Sequence, residues 1–227
     1  MKREQPIIAI DGPVGVGKSS VAANLAKRLN YIYIDTGAMY RAVTLMAMRA
    51  QLDLNDKTAL GELAQAIKLH FERHDGALRT ICNGEDVSEE IRLPEVSKNT
   101  SSVADTVAVR ERLVALQQQM GQHGAVVMEG RDITTVVFPD AEIKIFLDAD
   151  PKIRAARRYK ELIAKGKDVT MEETYNDLLA RDKRDREREV GGLQVAAGAI
   201  VLDTTNLNQD EVIDALEDIV KNLYNYK

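Results

Sequence analysis

The 227 residues include one cysteine, Cys82, three phenylalanines, three histidines and no tryptophan. A single cysteine excludes an internal disulfide and points to a reducing compartment. His70, His74 and His123 show no zinc-ligand spacing, so surface or loop positions are expected for all three. Aromatic residues make up 4%, and 31 basic against 36 acidic residues leave a net charge of −5. Both features argue against general nucleic-acid binding, which calls for basic patches and stacking rings. No apolar run approaches the length of a membrane span. Met1 to Gln5 is polar and the apolar run after it is too short for a signal peptide. The expectation is a soluble, cytoplasmic chain without a nucleic-acid or membrane partner.

Hydrophobic residues reach 44% and charged residues 30%. That balance suits one large α/β domain, or one domain with an insert, with enough apolar residues for a sizeable core. The chain is organised around Ile7 to Ser20, IIAIDGPVGVGKSS. Ile7 to Ile10 reads as a buried parallel strand. Gly12, Gly15 and Gly17 permit a tight loop, since glycine reaches backbone angles closed to other residues. Lys18, Ser19 and Ser20 open a helix running through Val21, Leu25, Ala26 and Leu29. The spacing from Gly12 to Ser19 (Gly, four residues, Gly, Lys, Ser) is that of a phosphate-cradling P-loop. Backbone N–H groups and the positive end of the following helix cradle a triphosphate where side chains would crowd it. Lys18 adds a point charge on the outer phosphates, and the Ser19 hydroxyl can ligate Mg²⁺.

Further along, the first helix is expected to end near Asn30. Tyr31–Ile34 reads as a strand and about Ala38–Ala50 as a helix. Residues from about 53 to 100 break the alternation. A helix near Thr58–Ala66 precedes candidate strands Ile67–Arg73 and Leu78–Cys82, separated by the turn signal His74-Asp75-Gly76. Asn83-Gly84 is a second turn, and Val87 can start a third strand. Close turns between short strands mean a small antiparallel meander, expected as an insert because it cannot join a parallel sheet without a crossover. Helices are expected from about Pro94 and over Thr106–Gln122, then strands Ala125–Met128 and Ile143–Leu147. Asp150-Pro151 is an N-cap with proline at the first helical position, opening a helix to about Lys165 that Gly166 ends. Met171–Glu189 is a long charged helix and Ala199–Leu202 the last strand. Asn208 with Glu211 forms a capping box for the final helix. Five apolar strands alternating with helices predict an α/β fold, a parallel sheet with helices on both faces.

Ligands of such sheets gather beyond the carboxyl ends of the strands. Those ends carry Asp11–Lys18, Asp35–Arg41, Glu129–Asp132, Asp148–Asp150 and Asp203-Thr204. A hydroxyl and an arginine, Thr36 and Arg41, at the helix start after the second strand suit a phosphate acceptor. Arg131 adds a cation at the same rim. Caps and surface ion pairs are the competing reading. In the charged helix Arg181, Asp185 and Arg188 share one face, with Arg184 beside them. A solvated face laced with ion pairs is the alternative there. Arg154, Arg157 and Arg158 stud the preceding helix. Two arginine-bearing helices joined at Gly166, about 151–190, read as a mobile lid that keeps water from a phosphoryl group.

Taken together, the P-loop, DTGAMYRA, the antiparallel insert, GRDI with TVVFPDA, KIFLDAD, RDKRDRER and LDTT resemble the bacterial cytidylate kinase family, a group of P-loop nucleoside monophosphate kinases. The resemblance covers nearly the whole chain; DTGAMYR and the pair GRD with TVVFPDA are its specific parts. It implies a P-loop kinase domain over 1–227, with a monophosphate-binding insert at about 53–100 and a lid at about 151–190. The implied reaction is transfer from ATP to CMP or dCMP, with Mg²⁺, in a monomeric cytoplasmic enzyme of pyrimidine nucleotide metabolism. By the same resemblance Gly12, Pro13, Val14, Gly15, Val16, Gly17, Lys18, Ser19 and Ser20 hold the ATP phosphates. Thr36, Arg41, Arg131 and Arg188 take the acceptor phosphate. Ser101, Arg110 and Asp132 read cytosine, and Arg181 and Asp185 hold the ribose. Cytosine presents an amino donor beside two acceptors, which a carboxylate, a hydroxyl and an arginine complement. The chain departs from the family pattern at Val14, where a small residue is usual, at Thr134, where a glycine is usual, and at Gly191-Gly192, where a proline is common.

In-line attack by an already ionised acceptor phosphate requires no general base. Mg²⁺, Lys18, Arg41, Arg131 and Arg188 would absorb the developing charge. Glu129 and Asp148 compete as the carboxylate behind a magnesium-bound water, with Glu129 favoured. A GTPase would need a guanine-reading Asn-Lys-x-Asp after a strand, which the chain lacks. Another P-loop small-molecule kinase is the nearest rival, separated by the cytosine-reading triplet.

Overall fold

The computed structural model describes residues 3–74 and 77–224. In chain order the elements are β1 (Ile7–Asp11), α1 (Lys18–Leu29), β2 (Ile32–Asp35), α2 (Thr36–Arg49), α3 (Lys57–Ala66), β3 (Leu69–His74), β4 (Ala77–Cys82), β5 (Glu85–Asp86), α4 (Pro94–Ala104) and α5 (Val107–Gly121). There follow β6 (Val126–Gly130), β7 (Ile143–Asp148), α6 (Pro151–Ala164), α7 (Met171–Glu187), β8 (Ile200–Asp203) and α8 (Gln209–Leu223). A 3₁₀ turn at Glu90–Arg92 precedes α4, and one π-helical turn, Ile133–Val137, follows β6. The chain divides into two compact units, one reaching to Tyr33 and resuming at His123, the other spanning Ile34–Gln122.

A five-stranded sheet in the order β2-β6-β1-β7-β8 organises the first unit. β1 pairs in parallel with β6, from Ile7 opposite Val126 to Asp11 opposite Gly130, and on its other side with β7. β7 pairs in parallel with β8. This is the α/β parallel-sheet class expected from the alternating strands and helices. Ile8 and Ile10 of β1 pack with Leu25 of α1 and Ile213, Leu216 and Val220 of α8. Ile7 and Ala9, which alternate to the opposite face, are equally closed to solvent. A central parallel strand buried on both faces explains why β1 has no polar residue before Asp11.

Pairing with β1 also lengthens the strands at their carboxyl ends. β6 extends two residues beyond the expected Met128, through Glu129 and Gly130, because Ile10 and Asp11 still lie opposite them. Two capping signals form as read. The Asn208 side chain accepts from Glu211 N at 3.0 Å while Glu211 accepts from Asn208 N at 2.8 Å. Asp150 accepts from Lys152 N at 2.7 Å and caps α6.

The second unit holds α2 to α5 and the antiparallel sheet β3-β4-β5. Its core gathers Met39, Val43, Leu60, Leu69, Cys82, Val87, Val103 and Leu113. The segment expected as an insert, 53–100, falls inside this unit. The expected turn at Asp75-Gly76 lies outside the described residues. At the second turn Asn83 and Gly84 both have positive φ, 52° and 85°. Such a two-residue turn lets pairing resume at once, with Cys82 opposite Glu85. The third strand is therefore Glu85–Asp86 and ends before Val87, which was expected to start it. Val87 instead enters the core, fully buried.

Candidate active site

The phosphate loop runs from the end of β1 into α1. Its entry permits only glycine: a Cβ at Gly12 would lie 2.2 Å from the carbonyl oxygen of Leu147. The buried Lys18 folds back on the loop, its Nζ donating to Gly12 O and Pro13 O, both at 2.8 Å. Burial lowers the Lys18 ammonium to about 7, the Arg131 charge adds to this, and Glu129, Asp11 and Asp185 oppose it. At the next residue, Ser19 Oγ donates to Glu129 Oε1 at 2.6 Å, and Tyr33 Oη donates to the same oxygen at 3.4 Å. Asp148, the rival carboxylate, accepts from the adjacent Ala149 N at 2.9 Å.

Beyond β6 stand Arg131 and Asp132. Arg131 Nε lies 2.7 Å from Asp185 Oδ2, and Arg188 Nη2 lies 2.9 Å from Asp185 Oδ1. One carboxylate thus holds two arginines of the rim and offsets their mutual repulsion. Burial alone would raise the Asp185 carboxyl, but Arg131, followed by Arg188 and Arg181, outweighs it and holds the group at about 2. α7 ends at Glu187, two residues before the expected Glu189, and Arg188 is its non-helical C-cap. Arg181 lies four residues before Asp185 on α7, at the helical spacing that shares a face.

Thr36, Arg41, Ser101 and Arg110 belong to the second unit. Asp35 caps α2 by accepting from Ala38 N at 2.8 Å, and its other oxygen lies 3.0 Å from Arg41 Nη2. Arg41 Nε is buried without a hydrogen-bond partner. Thr36 is buried at the first position of α2. Arg110, buried on α5, donates to Ala104 O at 3.4 Å and lies over the Tyr40 ring, 5.6 Å from its centre. Ser101 is half-buried on α4.

The three arginines of α6 divide. Arg154 is buried and ion-paired to Asp182 at 2.7 Å. Arg157 donates to the carbonyls of Thr204 at 2.6 Å and Leu207 at 3.1 Å. Only Arg158 makes a surface pair, with Glu161 at 3.0 Å. Reading the sequence assigned no role to two buried carboxylates beside the loop: Asp11, which it placed only at the strand rim, and Asp182. Asp11 had a signal, an acidic residue closing an otherwise apolar strand. Asp182 had none, being one of four acidic residues within the run Arg181–Glu189.

A family model described as cytidylate kinase matches residues 8–222. The chain belongs to the cytidylate kinase family. A curated cytidylate kinase from Geobacter sp. (strain M21) is 49% identical over 95% of this chain and 92% of its own length. One from Pelotomaculum thermopropionicum is 52% identical over 92% of each. A solved structure of an uncharacterised protein from Eubacterium ventriosum covers 96% of this chain and 99% of its own at 13% identity with a TM-score of 0.52, a likeness of fold alone. Membership of the cytidylate kinase family makes the chain a phosphotransferase. Among the described residues no helix is long and apolar enough to cross a membrane.

Proposed function

We propose that this chain transfers the γ-phosphoryl group of ATP to CMP or dCMP, giving ADP and CDP or dCDP. The observation that carries the reading is the family match across residues 8–222 at about half identity to curated cytidylate kinases. In this reading Gly12 to Ser20 hold the ATP phosphates, and Lys18 leaves its two loop carbonyls to meet the outer ones. Thr36, Arg41, Arg131 and Arg188 bind the acceptor phosphate. The buried, unpartnered Nε of Arg41 supports that role, since it is a donor awaiting an acceptor. Ser101, Arg110 and Asp132 select the base, and Arg181 and Asp185 take the ribose.

The acceptor oxygen is already ionised near neutral pH and attacks the γ-phosphorus in line. The arginines and Lys18 stabilise the charge that develops on the transferring group. Ser19 Oγ and Glu129 Oε1, 2.6 Å apart, are hard oxygen donors that fit Mg²⁺. Among the described residues no group of three or more His, Cys, Asp or Glu is arranged to hold a metal. That fits an ion bound mostly through water and phosphate oxygens. When bound, Mg²⁺ supplies charge neutralisation on the donor phosphates. Glu129 is the better second partner than Asp148 because it already accepts from the loop serine. A cytoplasmic setting agrees with the one cysteine, Cys82, kept as a buried thiol.

The test is a coupled ADP-release assay against CMP, dCMP, UMP, AMP and GMP. CMP and dCMP should be the best acceptors, with CMP preferred over UMP by at least about tenfold in kcat/KM. Equal use of UMP, or a purine acceptor preferred, would overturn the reading.

A further inference from the structure

Asp11 ends β1 immediately before the phosphate loop, yet its carboxylate takes its hydrogen bonds from the segment after β6. It is completely buried. Oδ1 accepts from Ile133 N at 2.9 Å, and Oδ2 accepts from Thr134 N at 2.8 Å and from Thr134 Oγ1 at 2.5 Å. Lys18, the nearest functional cation in sequence, bonds carbonyls instead. A buried carboxylate is costly unless donors satisfy its oxygens, and here three donors from Ile133 and Thr134 do so. Here burial raises the group to about 6, the Thr134 and Ile133 donors pull it back, and the neighbouring Asp132 charge raises it again.

What these bonds hold is the segment that begins at Asp132. Its backbone, at φ −142° and ψ 24°, is neither helical nor extended. The two amides that follow it are fastened to Asp11. Its own carbonyl accepts from Val136 N at 2.8 Å, and Phe138 N closes the π-helical turn on Ile133 O at 2.7 Å. Turns of this kind are rare and gather at functional sites. The backbone from the Asp132 carbonyl to Phe138 is thus held by these bonds, two of them to Asp11.

We propose that Asp11 and Thr134 form a positioning pair for base selection, holding the turn at Ile133–Val137 so that Asp132 is presented to the cytosine amino group. Neither residue touches the substrate; both act through Asp132. The inference rests on the proposed reading that Asp132 recognises the base. A site whose polar groups must meet a ligand's donor at hydrogen-bond range loses selectivity when its support loosens, because the bond to the correct base weakens and the wrong base loses nothing.

The experiment measures kcat/KM for CMP and for UMP, at saturating ATP, in the wild type and in Thr134→Val, Thr134→Ser, Asp11→Asn and Asp132→Ala. Thr134→Val removes the hydroxyl and keeps shape and amide. It should narrow the CMP-to-UMP ratio by about three- to tenfold, mainly through the KM for CMP, as expected for one hydrogen bond. Its KM for ATP should stay within about twofold of wild type, a result a general loosening of the fold would not produce. Thr134→Ser restores the bond and should restore the ratio. Asp11→Asn should narrow the ratio further, since its amide nitrogen cannot accept; if it fails to fold, the Val and Ser pair decides alone. An unchanged ratio in Thr134→Val, or a ratio that serine does not restore, overturns the proposal. If Asp132→Ala narrows the ratio while Thr134→Val does not, only this inference falls. If Asp132→Ala leaves the ratio unchanged, the reading of Asp132 falls and positioning through it falls with it.

Discussion

Arg154 Nη1 lies 2.7 Å from Asp182 Oδ2, and both side chains are 2% exposed. The same nitrogen donates to Val14 O at 2.9 Å, Arg154 Nε donates to Ala149 O at 3.0 Å, and Val14 N donates to Asp182 Oδ1 at 3.3 Å. The pair therefore clasps the phosphate loop at Val14 from α6 and α7 together. Val14 takes part through its backbone, so its side chain is free to differ from the small residue usual in the family.

Breaking this pair on one side should be severe. Asp182→Ala leaves the Arg154 guanidinium buried with its main counter-charge gone, at a cost of about 3–5 kcal/mol. Urea unfolding monitored by circular dichroism should show that loss, and the double replacement Arg154→Met with Asp182→Leu should recover much of it. A loss under about 1 kcal/mol in Asp182→Ala would mean that water reaches the pair.

Lys18→Ala should leave the fold intact, because the lysine's two bonds go to loop carbonyls and its burial already disfavours the charge. Phosphoryl transfer with Mg-ATP should fall by at least about a hundredfold, since a point charge aimed at the outer phosphates is lost. Near-normal turnover would show that the loop is not the donor site.

Arg188→Ala and Arg41→Ala each remove one arm of an ion pair, to Asp185 and Asp35 respectively. Each should lower kcat/KM for CMP by orders of magnitude with an unchanged circular dichroism spectrum. A plain ion pair contributes about 1 kcal/mol or less, so a loss under about fivefold would mark the arginine as structural only.

The Asp185 carboxyl, held at about 2 in the fold, has an ordinary value of 3.8. A depressed acid stabilises the fold above its unfolded value and ceases to as pH falls towards its folded one. Its contribution, about 2 kcal/mol, should be fully present above about pH 4 and shrink between about pH 4 and 2. Urea midpoints for wild type and Asp185→Asn should therefore differ most at about pH 5 and converge below about pH 4. A gap that stays constant over that range would contradict the pairing.

The parts of the fold that were legible in the sequence are those that local chemistry controls. Strand β1 follows from four apolar residues in a row, the start of α8 from Asn208 and Glu211 three residues apart, and the start of α6 from Asp150-Pro151. β5 was misplaced because the Asn83-Gly84 turn is tighter than a turn signal alone conveys; two positive φ angles in succession bring Glu85 straight back to Cys82. The end of β6 was misplaced because a strand stops where its partner stops, and the partner is over a hundred residues away.

The same division runs through the candidate site. Gly12 to Ser19 could be read from spacing because one short stretch of backbone makes the whole cradle. Arg154 and Arg158 could not be told apart, since both are arginines on the same helix; only packing buries the first against Asp182 and leaves the second on the surface with Glu161. Nor does any local rule place Glu129 on Ser19, 110 residues away, or Thr134 on Asp11, 123 residues away. Strand β1, the capped starts of α6 and α8 and the phosphate loop were readable in advance, because hydrogen bonds within a few residues and the spacing of apolar side chains decide them. Which charges lie together depends on the folded arrangement, because a buried carboxylate takes whichever donors the sheet register brings to it, and that register is set by strands distant in the chain.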